Sequence, residues 1–375
     1  MTEPENKGGF FGLLDFSNAL SSFVAIGLGL AVGFVVLLIA NPSDALTGFI
    51  TLLTSGFSDL KNTGQVLYFA TPIIMTGLAV AFAGRTGLFN IGASGQFIVG
   101  AYCAILVGVR CTFLPGALLC PLAILAAIMA GALWGALPGL LKAWRNVNEV
   151  ISCIMMNYIG MYLVNYLIIL TVYDQRRNIT RAVTSAANVP TWGLDKIFRL
   201  GNSPSSANGG IFIAILAALA IYMILEKTVF GYELKACGFN KNAAEYAGIN
   251  SKRGIILAMA VSGALAGLGG ALLYLSGAGK GIDVVDTLAQ EGFNGIPVAL
   301  LALNNPLGVI FSGLFIAYLT VGGFRMQLYN FAPQAVDMII AIIIYFSAAA
   351  LLIKGFLQKL GKYKKKTGPQ GGGGV

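Results

Sequence analysis

The side chains that commonly perform covalent or acid–base chemistry are scarce in this chain. It has no histidine, and its five cysteines lack the C-x-x-C spacing of a metal or redox site. Without histidine, the sequence does not favour a hydrolase triad or a zinc centre. The string nearest to a phosphate-binding loop, GAGKG at 277–281, lacks the Ser or Thr that should follow Lys280. We therefore predict a protein that is not an enzyme and does not hydrolyse ATP itself.

Binding chemistry is better represented, in two polar, glycine-rich segments that interrupt apolar sequence. They are GRTGLFNIGASGQ at 84–96 and EGFNGIP at 291–297. Hydrocarbon does not tolerate the exposed backbone of such a break unless protein or a wet cavity satisfies it. Both segments contain Phe-Asn followed within two residues by Gly. Discontinuous helices of this kind meet at a midplane substrate site in transporters built from inverted repeats, and we predict such a repeat here.

The hydrophilic loop at 226–253 carries a third signal. After Gly238 and Asn240 comes a short helical pattern with small residues on one face, closed by Gly248 as a C-terminal cap. A short helix with a small apolar face suits docking into a partner's groove. The alternative is a solvated helix packed on its own chain, and composition alone favours that alternative.

The elements that must position these segments are membrane helices. The 375 residues are 57% hydrophobic and 10% charged, whereas soluble domains carry about 25% charged residues. A spanning helix needs about 20 apolar residues, and nine runs reach that length, eight of them uncharged and the last with the single charged residue Asp337. They are 20–40, 62–84, 86–109, 111–141, 150–173, 200–225, 254–279, 292–324 and 333–353. We predict an all-α, polytopic membrane protein, in which the net charge of +9 reflects topology rather than nucleic-acid binding.

The run at 292–324 is too long for one crossing. As a helix its 33 residues would extend about 50 Å, against a hydrocarbon core of about 30 Å, and Asn304-Asn305-Pro306 lies near its middle. The basic loop at 226–253 and the basic tail at 354–375 should both be cytoplasmic. This requires a turn within the run. The prediction is ten spans, two of them short or broken, with both termini cytoplasmic.

This topology divides the chain into an N-terminal tail at 1–19, a transmembrane domain at 20–353 and a C-terminal basic tail at 354–375. The segment 174–210 lies outside, although it contains five basic residues. Long translocated loops follow the positive-inside rule only weakly. Small residues spaced three or four apart, such as Gly131 with Gly135 and Gly263 with Gly267, predict close helix approach.

Several of these motifs resemble those of a known transporter family. The loop GFNKNAAEYAGI at 238–249 resembles the coupling loop of ABC importer permeases of the branched-chain amino acid, simple sugar and nucleoside family. The nucleoside-type branch is similar at FNIGASGQ (89–96), NEVI (148–151), MNY (156–158), GFNGIPVALL (292–301) and NNPLG (304–308). Two positions depart from the family pattern: Ser94, where an acidic residue is frequent, and Asn242, where proline is frequent.

The resemblance implies a multi-pass permease subunit in a bacterial cell membrane, surrounded by membrane lipids. It implies three protein partners: an ABC ATPase that binds ATP and Mg, an extracytoplasmic substrate-binding protein or lipoprotein, and a second, different permease chain. No cofactor is expected in this chain. The residues expected to couple it to the ATPase are Gly238, Asn240, Ala243, Ala244, Glu245, Tyr246 and Gly248.

The expected cargo is a nucleoside, with purines favoured. Phe89 and Phe293 would stack on the base. Hydrogen bonds to base or ribose would come from Asn90, Gln96, Asn157 and Asn294. Ser94 lies on the same pathway. The alternative for the phenylalanines is ordinary packing, and for the asparagines at the breaks it is helix capping.

Two other functions remain open at this stage. The first keeps the transporter class but carries a simple sugar, such as ribose or galactose, or a branched-chain amino acid. The second is an ion-coupled secondary transporter, which would require buried acidic residues near the midplane. The sequence offers none that we can place there.

Overall fold

The computed structural model describes residues 16–348. The predicted basic tail at 354–375 and residues 1–15 of the predicted N-terminal tail lie outside this range. Nearly all of the regular structure is helical, so the predicted all-α class is confirmed.

The chain forms fifteen α-helices within residues 16–348. They are α1 Phe16–Ala40, α2 Ala45–Thr54, α3 Leu60–Arg85, α4 Ala93–Arg110, α5 Gly116–Arg145, α6 Glu149–Thr171, α7 Leu194–Ile197, α8 Gly210–Lys227, α9 Val229–Phe239, α10 Lys241–Tyr246, α11 Ser251–Tyr274, α12 Gln290–Phe293, α13 Gly295–Leu301, α14 Pro306–Met326 and α15 Pro333–Ala348. Two small antiparallel hairpins pair β1 Tyr173–Asp174 with β2 Ile179–Thr180, and β3 Arg199–Leu200 with β4 Ser203–Pro204.

Seven helices of the described chain are long and apolar enough to cross a membrane: α3, α4, α5, α6, α8, α11 and α14. Two of them begin later than the sequence predicted. The run at 86–109 becomes helical only at Ala93, because residues 86–92 form a turn-rich segment. The run at 200–225 becomes helical only at Gly210, because its first residues belong to a hairpin. The short helix α2 escaped prediction because a search for 20-residue runs passes over ten residues.

The long run at 292–324 breaks where the asparagines predicted a turn. Helix α13 ends at Leu301, and both Leu303 and Asn304 adopt positive φ angles. Asn305 then caps α14, since its side chain accepts from the backbone N–H groups of the second and third helical residues, and Pro306 occupies the first helical position. The part before the break consists of the short helices α12 and α13. The count of ten spans stays a prediction.

The described helices form two compact units, residues 16–49 with 329–348 and residues 50–328. In the first unit, α1 packs against α15 through glycines. A Cβ atom added at Gly29 would lie 2.7 Å from the Cα of Ile343, and one at Gly33 would lie 3.0 Å from a side-chain carbon of Ile339. The two helices can therefore approach each other closely only because Gly29 and Gly33 have no side chains.

In the second unit, α11 is central and packs against α3, α4 and α5. Its contact with α5 is made by facing glycines. A Cβ atom at Gly263 would overlap the carbonyl oxygen of Gly131, and a Cβ atom at Gly267 would lie 3.0 Å from the Cα of Gly131. The close approach predicted from the small-residue spacing is thus confirmed, and it allows tight packing without a hydrophobic driving force in lipid.

This packing generates a prediction about stability. Gly263→Ala should lower the melting temperature of the detergent-purified protein, because overpacking of this kind costs about 1–3 kcal/mol. Gly254→Ala on the same helix is the control, since its Cβ would meet no side chain closer than 3.5 Å. The control should be neutral or slightly stabilising because alanine favours helix. Equal melting temperatures for the two variants would contradict the packing argument.

Candidate functional site

The segment 86–92, between α3 and α4, is held inside the second unit by the side chain of Asn90. This residue is fully buried. Its Nδ2 donates to Oε1 of Gln96 at 2.8 Å and to Oγ of Ser262 at 2.7 Å, while its Oδ1 accepts from the backbone N–H of Gly92 at 2.9 Å. Ser262 lies near the middle of the 24-residue helix α11. A single amide therefore joins the broken segment to two helices well inside the bundle.

Ser262 extends this network to a third helix. Its hydroxyl donates to the backbone carbonyl of Ala79 on α3 at 2.5 Å. The thiol of Cys153 on α6 also approaches Oδ1 of Asn90, at 3.6 Å. The polar atoms around Asn90 thus bond to one another.

A second amide, from Asn157 on α6, supports the start of α4. Gly92 stands at the N-cap position of α4 and has no side chain to bond the free N–H groups of the first turn. Asn157 takes over this role from a neighbouring helix, because its Oδ1 accepts from the N–H of Gly95 at 2.8 Å. Its Nδ2 donates to the carbonyl of Ile91 at 3.0 Å. One buried side chain therefore binds the backbone both before the start of α4, at Ile91, and within its first turn, at Gly95.

The second polar break meets the first at this point. The hydroxyl of Ser94, in the first turn of α4, donates to the carbonyl of Ala289 at 2.8 Å. Gly292 packs directly on the backbone of Ser94, and a Cβ atom there would overlap it. Gly295 packs in the same way on the backbone of Thr76 in α3. The structure therefore brings together the two interrupted segments found in the sequence.

The seven side chains predicted to line a substrate pathway fall into two groups. The first group is buried and engaged in hydrogen bonds within the protein: Asn90, Ser94, Gln96 and Asn157. The second group is accessible: Phe89 is 38% exposed, and Phe293 and Asn294 are half-buried. Among residues 16–348, no hydrogen bond engages the Asn294 side chain. Two aromatic rings and one amide thus remain available to a ligand.

The hydrogen bonds around this site join neutral groups. The nearby carboxylate of Glu291 is paired with Lys280 at 2.7 Å. A site supported by amides, a hydroxyl and backbone groups is suited to an uncharged polar ligand, because a charged ligand would lack a compensating charge after losing its water.

Sequence reasoning overlooked a row of tyrosines on α6. Tyr158, Tyr162 and Tyr166 follow each other at four-residue spacing and are all exposed. Residues four apart share one face of a helix, so this spacing was sufficient to find the row. Tyrosine hydroxyls prefer a hydrogen-bond partner. The three tyrosines on this face of α6 are therefore accessible to a polar partner.

The predicted coupling loop lies directly against the segment 86–92. Gly238, near the end of α9, faces the backbone of Thr86 and Gly87, and a Cβ atom at Gly238 would lie 2.6 Å from the carbonyl carbon of Thr86. The reverse also holds, because a Cβ at Gly87 would lie 2.6 Å from the Cα of Gly238. The backbones of the two segments are thus in contact.

Both predicted ends of the short helix α10 are present. Asn240 caps the start, where its side chain accepts from the N–H of Ala243 at 3.1 Å. Gly248 follows the end with φ of +82°. Its N–H donates to the carbonyl of Glu245 and that of Ile249 donates to Ala244, each at 3.0 Å, which is the Schellman pattern of bonds.

The surface of α10 differs from the expected small-residue face. Ala244 is buried and packs inward. The other predicted coupling residues are exposed: Gly238, Asn240, Ala243, Glu245, Tyr246 and Gly248. Tyr246 is 95% exposed, and Phe239, which sequence reasoning passed over, is 91% exposed. Two large aromatic side chains therefore project from this end of the molecule.

Charged residues join this loop to the ends of α3 and α8. The carboxylate of Glu226 pairs with Arg85 at 2.5 Å and with Lys235 at 2.9 Å. Nearby, burial raises the pKa of the Cys237 thiol above its usual value.

Comparison with known proteins identifies several similar chains. The model of the family described as branched-chain amino acid transport system, permease component, matches residues 62–348. A guanosine ABC transporter permease protein of Bacillus subtilis is 39% identical over 93% of this chain and 98% of its own length. A nucleoside ABC transporter permease protein of Lactococcus lactis is 33% identical, over 91% and 93%. A glucose ABC transporter permease protein of Haloferax volcanii is 34% identical, over 87% and 86%. No solved structure matches the chain.

The two hydrogen bonds of Asn157 generate a prediction. Asn157→Ala leaves the buried N–H of Gly95 and the half-buried carbonyl of Ile91 without these partners, and a fully buried group left unpaired costs about 1–3 kcal/mol. Asn165→Ala is the matched control on the same helix, because its amide makes an exposed bond to the carbonyl of Val285. Thermal unfolding in detergent should show a clearly larger fall in melting temperature for Asn157→Ala than for Asn165→Ala. Similar losses for both variants would remove the support for this positioning role.

Proposed function

The chain belongs to the family of branched-chain amino acid transport system permease components, and we propose that it moves nucleosides into the cell as the permease subunit of an ATP-driven ABC importer. It is a multi-pass membrane protein, and permease subunits of this kind are not enzymes themselves. The observation that carries the proposal is the meeting of the two broken segments at Ser94 and Gly292. It places accessible aromatic rings beside an uncharged polar network inside a helical bundle.

A nucleoside suits this site better than a charged solute. It is neutral, its base offers a flat face, and its ribose and base edges offer hydrogen-bond donors and acceptors. Phe89 and Phe293 supply stacking surfaces, and such stacking is worth about 1–3 kcal/mol per base in single-strand binding. Stacking accepts any base, and purines offer the larger face. The names of the Bacillus and Lactococcus relatives support a nucleoside cargo.

The buried members of the site act by positioning in this proposal. Asn90, Gln96 and Asn157 hold the backbone that carries Phe89. Ser94 joins this segment to the second one through the carbonyl of Ala289. Asn294 supplies the free amide. The exposed tyrosine row of α6 extends the polar wall away from this point, with hydroxyls that solute or water can satisfy.

The ATPase partner binds to α10 and its neighbours. Phe239 and Tyr246 are its anchors, because exposed aromatic residues carry much of the energy of protein interfaces. Movement of this loop passes to the substrate site through the backbone contact of Gly238 with Thr86 and Gly87. ATP and Mg are bound by the partner, and this chain needs no cofactor of its own.

The remaining arrangement follows the topology derived from charge. We propose ten spans, related in part by an inverted repeat, within a transmembrane domain at 20–353. Both termini and the loop at 226–253 face the cytoplasm, and 174–210 faces outward, where a substrate-binding protein or lipoprotein delivers the solute. A second, different permease chain completes the pathway in the bacterial cell membrane.

Uptake measurements test the cargo. Cells that contain the complete transporter should take up labelled guanosine, and unlabelled nucleosides should compete while ribose, glucose and leucine do not. Phe89→Leu keeps an apolar side chain but removes the flat face, so KM for guanosine should rise about fivefold or more. Phe113→Leu, at an exposed position between α4 and α5, should leave KM unchanged.

Two results would reject this assignment. Competition by glucose or leucine as strong as that by nucleosides would keep the permease and discard the nucleoside. An unchanged KM in Phe89→Leu would remove this ring from the binding site.

The ATPase contact has its own test. The double variant Phe239→Ala with Tyr246→Ala should remain inserted with an unchanged melting temperature, because both side chains are almost fully exposed. It should lose at least tenfold in affinity for the ATPase subunit, as interface anchors contribute about 2 kcal/mol or more. Leu200→Ala, an exposed residue of the β3–β4 hairpin, is the control. Normal ATPase binding by the double variant would place the partner elsewhere.

A further inference from the structure

An arginine-rich cavity lies at the end of α6 that is remote from the coupling loop. The start of α6 is near that loop, because Glu149 pairs with Lys142, which borders the same small cavity as Gly238. At the other end of α6, a cavity of about 530 Å³ is lined by Arg110, Arg176 and Arg181. The substrate and coupling sites described above do not use these residues.

Two of the three guanidinium groups are fixed in place by backbone carbonyls. Nη2 of Arg110 donates to the carbonyl of Thr171, the last residue of α6, at 2.6 Å. Nε of Arg181 donates to the carbonyl of Tyr173 at 3.2 Å. Each guanidinium has five N–H donors. Several donors of each group therefore remain available, and the positive charge is permanent.

The cavity has an excess of positive charge. Asp174 contributes a carboxylate to the lining, and its Oδ1 accepts from the backbone N–H of Arg176 at 3.1 Å. Within residues 16–348, none of the three arginines forms a salt bridge. Three like charges around one cavity repel each other unless an anion lies between them. Guanidinium groups bind phosphate in a bidentate manner, with charge-assisted bonds.

The remaining wall of the cavity indicates the source of the anion. Ile169 and Leu170 line it and are exposed on a helix long enough to span the membrane. An anion with an attached apolar chain can satisfy both parts of the cavity, because the chain lies along α6 while the anion faces the arginines. A small soluble anion could bind the arginines, but it has no part that would contact Ile169 and Leu170.

We propose that this cavity binds the phosphate group of an anionic phospholipid, with an acyl chain against Ile169 and Leu170. In the proposed topology the basic segment 174–210 lies on the outer side, where the positive-inside rule alone would not place it, and a lipid phosphate would compensate its charge. The site depends on α6 spanning the membrane and is independent of the cargo.

The test is lipid-dependent thermal unfolding of the full chain in neutral detergent. Dioctanoyl phosphatidylglycerol should raise the melting temperature in a saturable manner. Dioctanoyl phosphatidylcholine and inorganic phosphate at the same concentrations should have little effect. Within residues 16–348, the guanidinium of Arg176 makes no hydrogen bond. Arg176→Gln therefore removes one positive charge without breaking a bond, and the variant should fold. It should raise the half-saturating phosphatidylglycerol concentration about tenfold.

Arg199→Gln is the control, because it removes a charge from the β3–β4 hairpin, and Arg199 does not line the cavity. It should respond as the unaltered protein does. An equal response to inorganic phosphate would assign the cavity to a free anion and overturn the lipid. An unchanged phosphatidylglycerol response in Arg176→Gln would overturn the site itself. If that variant lost uptake while keeping the lipid response, the arginine would belong to a protein interface instead.

Discussion

Satisfaction of backbone polar groups away from water is the constraint on which this structure depends. A helix that ends among packed helices leaves N–H and C=O groups without partners, and each such buried group costs about 1–3 kcal/mol. Here the break at 86–92 is stabilised by two side-chain amides, from Asn90 within the segment and Asn157 on α6. Because these amides replace the missing helical bonds, the chain can place an irregular backbone, with Phe89 beside it, inside the bundle.

Glycine makes the same arrangement sterically possible. The facing glycines of α5 and α11 allow α11 to occupy the centre of the second unit. Gly292 and Gly295 then let the second broken segment lie directly on the backbones of α4 and α3. Hydrogen bonds thus fix the first segment, and the absence of side chains brings the second one to it. The hydrogen bonds and the glycines are both needed to bring the two segments together.

The short segment 86–92 contacts the coupling loop and also carries residues of the proposed substrate site. Its first residues touch Gly238 in the coupling loop, and its middle carries Phe89 and Asn90. Few residues therefore separate the surface proposed to bind the ATPase from the ring proposed to bind the solute. A direct backbone contact of this kind needs no long chain of side-chain contacts, because a displacement at Gly238 would act on the backbone of the proposed substrate site.

The sequence by itself determined the helical membrane class, the break before Pro306, the caps of α10 at Asn240 and Gly248, and the glycine faces. These depend on composition or on residues within a few positions of each other, where local chemistry dominates. Only the tertiary structure decided that Asn90, Gln96 and Asn157 are buried and bonded while Phe89 and Asn294 stay accessible. It also decided that Phe239 projects and that three arginines share one cavity. Bonds such as those from Asn90 to Ser262 and from Ser94 to Ala289 join residues 172 and 195 positions apart. Their partners are chosen by helix packing, which no local pattern encodes.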